Sequence, residues 1–210
     1  MVNLNAQDTT HYAPVSFIRL TSQNDLYQAY LKSDKHFTNG AHIQVSHKKF
    51  DIPLFKRILP GNFLDGNENY IISIGQDMYT PEDFERTTVD STDRPYAGVL
   101  YATFNRTISS PAKLRIFRSS LILGVIGPAS GAAKTQNFLH RILDNDIFQG
   151  WDHQIGNGLI LDYAMMYRKG INGLPSFLDV SGSVNANVGT MLNYASLSSR
   201  FIIGKFNNPY

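Results

Sequence analysis

The side chain best equipped for proton transfer is His140, because an imidazole changes charge near neutral pH. It lies in Gly131 to Asp144 (GAAKTQNFLHRILD), where the alanines, Gln136, Leu139, Arg141 and Leu143 favour a helix and Gly127-Pro128 supplies a breaker ahead of it. Gln136 and His140 are four apart and would share one helix face. A histidine placed so also serves as plain surface or packing, and the residue alone leaves both readings open. A second constellation is Asn24-Asp25 followed by Asp34-Lys35-His36-Phe37-Thr38-Asn39-Gly40. Its carboxylate, amide and hydroxyl oxygens are the hard ligands calcium prefers, although Asn, Asp and Gly are also what polar hairpin loops are made of.

Two further stretches look architectural. Tyr79-Thr80-Pro81-Glu82-Asp83 leads to Asp93-Arg94-Pro95-Tyr96-Ala97-Gly98, where the prolines mark turns and Asp93 could pin the loop through charge-assisted hydrogen bonds. Gly150-Trp151-Asp152-His153-Gln154 holds the only tryptophan, suited to anchoring a loop or a membrane interface. The chain has no G-x-S-x-G elbow, phosphate-binding loop, H-E-x-x-H or dinucleotide glycine fingerprint, so the common hydrolase, kinase, zincin and Rossmann chemistries fall away.

The elements that must position these residues read as strands almost throughout. Leu178, Val180, Val184, Ala186 and Val188 alternate with Asp179, Ser181, Ser183, Asn185 and Asn187, which gives one apolar and one polar face. Similar stretches cover 15–22, 41–49, 70–79, 98–107, 114–125, 159–168 and 194–206. That makes about eight strands, many longer than the usual ~5–6 residues, and short polar connections favour a barrel meander over a Greek-key sandwich. Tyr70, Tyr79, Tyr101, Tyr163, Tyr167 and Phe206 stand near strand ends and could form interfacial girdles. The single clear break in the β pattern is the helix at 131–144.

Composition narrows the class. Across 210 residues, 42% are hydrophobic, 17% charged and 12% aromatic, which suits a surface partly out of water. A net charge of +2 without a basic cluster sets nucleic acid aside. The absence of cysteine excludes disulfides and thiolate metal sites. No apolar run is long enough for a transmembrane helix, but alternating strands cancel in a hydropathy average, so a barrel stays open. Met1 to Thr10 shows no secretory signal, and an exported protein would be present here in its mature form.

Taken in order, Asn24-Asp25, D-x-x-F-T-N-G from Asp34, Tyr79-Thr80-Pro81, D-R-P-Y-A-G from Asp93, Gly127-Pro128 with Q-x-x-x-H at Gln136 and His140, and Gly150-Trp151-Asp152 resemble the outer-membrane lipid A 3'-O-deacylase family. The resemblance runs from about residue 20 to 206, and D-R-P-Y-A-G and Q-x-x-x-H weigh most. It implies an all-β, antiparallel, up-and-down transmembrane barrel of about twelve strands with one short helix in an extracellular loop, in a Gram-negative outer membrane, with lipid A or lipopolysaccharide as substrate. It implies His140 as general base toward water, with Asn24 and Thr38 beside it at the ester. It implies a calcium ion held by Asp25, Asn24 and Asp146 in the role of an oxyanion hole. The basic residue the family uses near its site finds no matching lysine. Residues 1–210 are expected to form one barrel domain that lacks its C-terminal strands, since the chain stops at Asn207-Asn208-Pro209-Tyr210. Two other readings stand beside this one: a truncated, inactive barrel with a structural or binding role, and a soluble β-sandwich that binds calcium and, through Trp151, carbohydrate.

Overall fold

The computed structural model describes residues 16–24, 36–82, 92–143 and 150–210. Eight strands follow one another as β1 (Phe17–Asn24), β2 (His36–Ser46), β3 (Asn67–Thr80), β4 (Ala97–Ser110), β5 (Arg115–Ile126), β6 (Gly158–Gly170), β7 (Leu178–Gly189) and β8 (Tyr194–Ile203). Each pairs antiparallel with the next, giving one sheet in the order β1 to β8. All eight fall on the stretches whose alternation marks them in the sequence. A single sequential sheet, rather than two packed ones, removes the sandwich reading. It is the wall of an up-and-down barrel, open between β1 and β8 among the described residues.

Two faces follow from the period of two. On one, Leu20 pairs with Ile43, Ile43 with Ile74, Leu123 with Leu161 and Val184 with Leu197, and most of these side chains are exposed. On the other, Ser46 donates to Asn69, Ser73 and Thr103 share a 2.5 Å bond, and Ser120 donates to Asn105. The apolar face is open and the polar one shielded, the inverse of a water-soluble sheet and the arrangement of a wall with lipid outside and a polar interior. We call them the outer and inner faces. No described helix is long and apolar enough to cross a membrane.

Connections differ between the two ends. Strand order puts the β1–β2, β3–β4, β5–β6 and β7–β8 connections at one end and the β2–β3, β4–β5 and β6–β7 connections at the other. Longer connections mark the extracellular end of such barrels, and that end carries α2 (Ala132–Leu143), the helix the sequence predicts. The opposite end has a second, six-residue helix, α1 (Pro53–Ile58), with proline in its first turn. Sequence periodicity passed over it because six residues are too few to show a helical period.

The tyrosine girdle is only partly realised. Tyr70 is buried, its ring stacked on Phe55 of α1. Tyr163 donates to the Ile58 carbonyl, and Tyr167 packs on a cluster of Leu64, Ile108 and Phe117. Tyr101 turns to the inner face, where its hydroxyl lies 3.2 Å from His42. Residues 47–66, folded back onto the wall, claim the first three.

Candidate functional site

Helix α2 is held on the outer face at the extracellular rim. Gly127, at φ +90°, is bonded from its N–H to the Gly98 carbonyl and turns the chain out of β5; only glycine takes that conformation freely. A 3-10 turn (Pro128–Ser130) follows, and Gly131 at φ +71° closes it in the left-handed region. Gln76, on the outer face of β3, donates through Nε2 to the Ser130 carbonyl at 2.7 Å. Gly98 lets this segment approach, since a β-carbon there would collide with Ala132 Cβ and Ser130 Oγ.

Packing completes the dock. Met78, Tyr96, Ala132 and Trp151 form one buried cluster with Ala133 against it. The tilted rings of Tyr96 and Trp151 are 5.1 Å apart, and Trp151 Nε1–H donates to Gln136 Oε1 at 2.6 Å. With 4% of its surface exposed, Trp151 anchors the loop, as its sequence context suggests, and offers no platform to a sugar. Asp93 accepts from the backbone N–H groups of Glu82 and Arg94, so it pins its loop. The D-R-P-Y-A-G motif is thus a docking motif: Asp93 fixes the turn, Tyr96 packs the tryptophan and Gly98 clears the helix.

The predicted reactive residues are distributed as follows. His140 is half-buried on α2, one turn beyond the fully buried Gln136. Asn24 ends β1 at the same rim, its Cα opposite that of Asn39. Thr38 sits on β2 at a bulge, where the register to β3 shifts between Phe37 and Asn39. A bulge at a rim re-aims the chain locally and is common beside active sites. Asp25 and Asp146 lie outside the described residues. Backbone placement therefore gathers Asn24, Thr38 and the His140 helix at one end of adjoining strands. On the outer face beneath α2 the polar position of β3 is taken by Gln76, between Ile74 and Met78, and no lysine or arginine of β3 or β4 stands there.

Among the described residues no group of three His, Asp or Glu could hold a metal. The oxygen-rich residue types at the β1–β2 rim suit a hard cation such as calcium, and the carboxylates of such a set would be Asp25 and Asp146. Below α2 the outer face holds a groove of about 260 Å³ lined chiefly by Leu20, Ala41, Ile43, Ile74, Gln76 and Leu100. Gln76 belongs both to this groove and to the tie that holds α2, so groove and helix are contiguous. A slot of aliphatic side chains at a helix-capped rim fits a hydrocarbon chain.

The inner face carries a cluster that sequence reading missed. His42 Nε2 lies 2.8 Å from Asp77 Oδ1, with Tyr101 on the same nitrogen. Gly75 makes room for it, since a β-carbon there would strike His42 Cδ2. The clue available in the sequence was the shared parity of these residues with the polar series of their strands. The cluster stands on the opposite side of the wall from α2.

Comparison with known proteins places the chain. The sequence model of the family described as "Outer membrane protein LpxR" matches residues 1–210. Among solved structures, LpxR from Salmonella typhimurium superposes with a TM-score of 0.71 at 19% identity, over 89% of this chain and 62% of that one. The chain therefore spans about 62% of the length of that relative, and at this identity the likeness concerns the fold. No curated protein matches the chain.

Proposed function

Because this chain belongs to the outer-membrane LpxR family, we propose that it is a lipid A deacylase, a calcium-dependent hydrolase that removes the 3'-linked acyl or acyloxyacyl chain. The observation that carries the reading is the docking of the His140 helix on the lipid-facing wall, directly above an aliphatic groove. A substrate whose acyl chains already lie in the outer leaflet reaches this groove sideways, without leaving the membrane.

In this reading the His140 imidazole takes a proton from water, and the resulting hydroxide attacks the ester carbonyl. The tetrahedral intermediate collapses, the acyl–oxygen bond breaks, and His140 returns its proton to the departing sugar oxygen. Asn24 and Thr38 orient the ester at the rim. Asp25, Asn24 and Asp146 would hold calcium, which when bound supplies electrostatic stabilisation to the carbonyl oxygen. Thr38 as a covalent nucleophile is the weaker variant, since it requires a base in direct contact.

The test is mass spectrometry of lipid A from a Gram-negative host expressing the chain. Loss of the 3'-linked chain is expected, with His140→Ala lowering the rate by about 10²–10⁴-fold. Activity that survives His140→Ala removes the mechanism, and activity that survives a calcium chelator removes the metal. A second reading, a wall with a structural or binding role, draws on β1 and β8 each having a single neighbour among the described strands. Unchanged lipid A beside a folded, membrane-inserted chain favours it.

A further inference from the structure

Residues 47–66, which join β2 to β3, do not hang into the aqueous phase. They fold back over the outer face of β3 to β6, at the end opposite α2. Phe55 packs on Tyr70 and Phe104, and Phe63 on Phe117 with ring centroids 4.8 Å apart. Leu59 and Leu64 are buried beneath.

The carbonyls at the end of α1 show what environment the segment is built for. A helix C-terminus leaves carbonyls unpaired, and on a soluble surface water takes them. Here three consecutive ones are taken by the wall. Ile58 O accepts from the Tyr163 hydroxyl at 3.0 Å, Leu59 O from Arg106 Nη1 at 2.8 Å, and Pro60 O from Ser119 Oγ at 2.9 Å. The donors come from β6, β4 and β5. Arg106 is fully buried, and its other ties go to Asn62 Oδ1 and Glu68 Oε1. Satisfying backbone carbonyls from the protein side is what non-helical chain against lipid requires.

The other side of the segment is apolar. Ile52, Leu54, Ile58 and Phe63 are exposed, Leu54 at 56% and Phe63 at 68%, and they adjoin the exposed outer face of the sheet. Around them the segment carries Lys49, Lys56 and Arg57 against Asp51 and Asp65. Lys56 pairs with Asp51, while among the described residues Lys49 and Arg57 have no acidic partner. Exposed aliphatic and aromatic groups continuous with a lipid-facing wall, ringed by net positive charge, match the boundary between acyl chains and anionic headgroups.

We propose that residues 49–63 are a membrane-interface anchor that binds phospholipid of the inner leaflet. Ile52, Leu54, Ile58 and Phe63 enter the upper acyl zone, and Arg57 and Lys49 take the phosphates. The assignment is independent of hydrolysis at the other rim.

The chain has no cysteine, so a single introduced thiol reports one position. Fluorophores are placed by Leu54→Cys, by Leu197→Cys on the outer face and by Asn185→Cys on the inner face. The labelled chains are folded into phosphatidylcholine vesicles with and without phosphatidylglycerol, and quenched by nitroxide lipids. The Leu54 probe is expected to be quenched best by nitroxide near the headgroup, the Leu197 probe by either depth, and the Asn185 probe weakly. Preference of the Leu54 site for anionic over zwitterionic nitroxide lipid should fall about fivefold with Arg57→Gln. Quenching at Leu54 no stronger than at Asn185 overturns the anchor. So does energy transfer between Leu54 labels that grows with protein density while lipid quenchers act weakly, which would assign the surface to a second copy. An anionic preference unchanged by Arg57→Gln overturns the headgroup assignment.

Discussion

Arg106 and Trp151 show how single side chains hold the two covers of this wall in place. A guanidinium with no exposed surface is tolerated because Leu59 O, Asn62 Oδ1 and Glu68 Oε1 all accept from it. Removing one partner of such an ion pair leaves the other charge stranded, at about 3–5 kcal/mol. Glu68 is half-buried and recovers some hydration, so Arg106→Ala should cost toward the lower end, about 3 kcal/mol, in urea unfolding of the membrane-folded chain. Arg106→Lys keeps the charge and loses the fork, and should recover part of that loss; equal losses for both would mean that the charge is not what is being held. At the other rim, Trp151→Phe keeps a ring against Tyr96 and removes the donor to Gln136 Oε1. The docked loop should weaken by about 1–2 kcal/mol, seen as faster amide exchange in 132–143 with β4 unchanged. Arg106 was legible only as an anomaly. It follows Leu100, Ala102 and Phe104 and precedes Ile108 on the apolar side of β4, and a charge there signals a cover. What the cover is lies some forty residues upstream, beyond what a local pattern carries.

At the scale of elements, legibility divides by mechanism. The strands were readable because each turns a mainly apolar row of side chains outward and a mainly polar row inward, so the period of two is expressed in composition over most of its length. Helix α2 was readable because it is long enough for propensity to accumulate over three turns. Of the candidate site, the sequence motifs carried the pieces and not their roles. D-R-P-Y-A-G reads as a proline turn, and its use as the seat of α2 depends on Gly98 meeting Ala132 and Ser130 across the sheet. That contact yields a sharp prediction. Gly98→Val adds a side chain where the helix segment rests, without removing any bond between β3 and β4, and overpacking of this kind costs about 1–3 kcal/mol. The loop, and not the wall, should yield. Emission from the sole tryptophan should shift to the red as Trp151 meets water, and the deacylation proposed for this site should fall while the strand signal in circular dichroism is retained. A blue emission maximum together with full activity would show that α2 needs no close approach at Gly98.

For the molecule as a whole, the decisive property is an eight-stranded sheet whose neighbours run strictly in sequence order and whose first and last strands each have one described neighbour. Inner strands are held on both sides. β4 is paired along its length with both β3 and β5, while β1 and β8 are each paired with a single described strand. Unpaired backbone in hydrocarbon costs several kcal/mol per group, so these edges are where the wall is most readily opened or extended. The expected consequence is a gradient of amide protection. In the chain folded into vesicles, residues 17–24 and 194–203 should exchange at least about tenfold faster than 99–108 and 116–126, a gap of ~1.4 kcal/mol in local opening. Uniform protection from β1 to β8 would mean that both edges are engaged in the membrane, by each other in a closed barrel or by strands from elsewhere. Cross-linking between cysteines placed at Leu20 and Leu197 separates those two cases: a bond within one chain closes the barrel on itself, and a bond between chains makes the edge an interface.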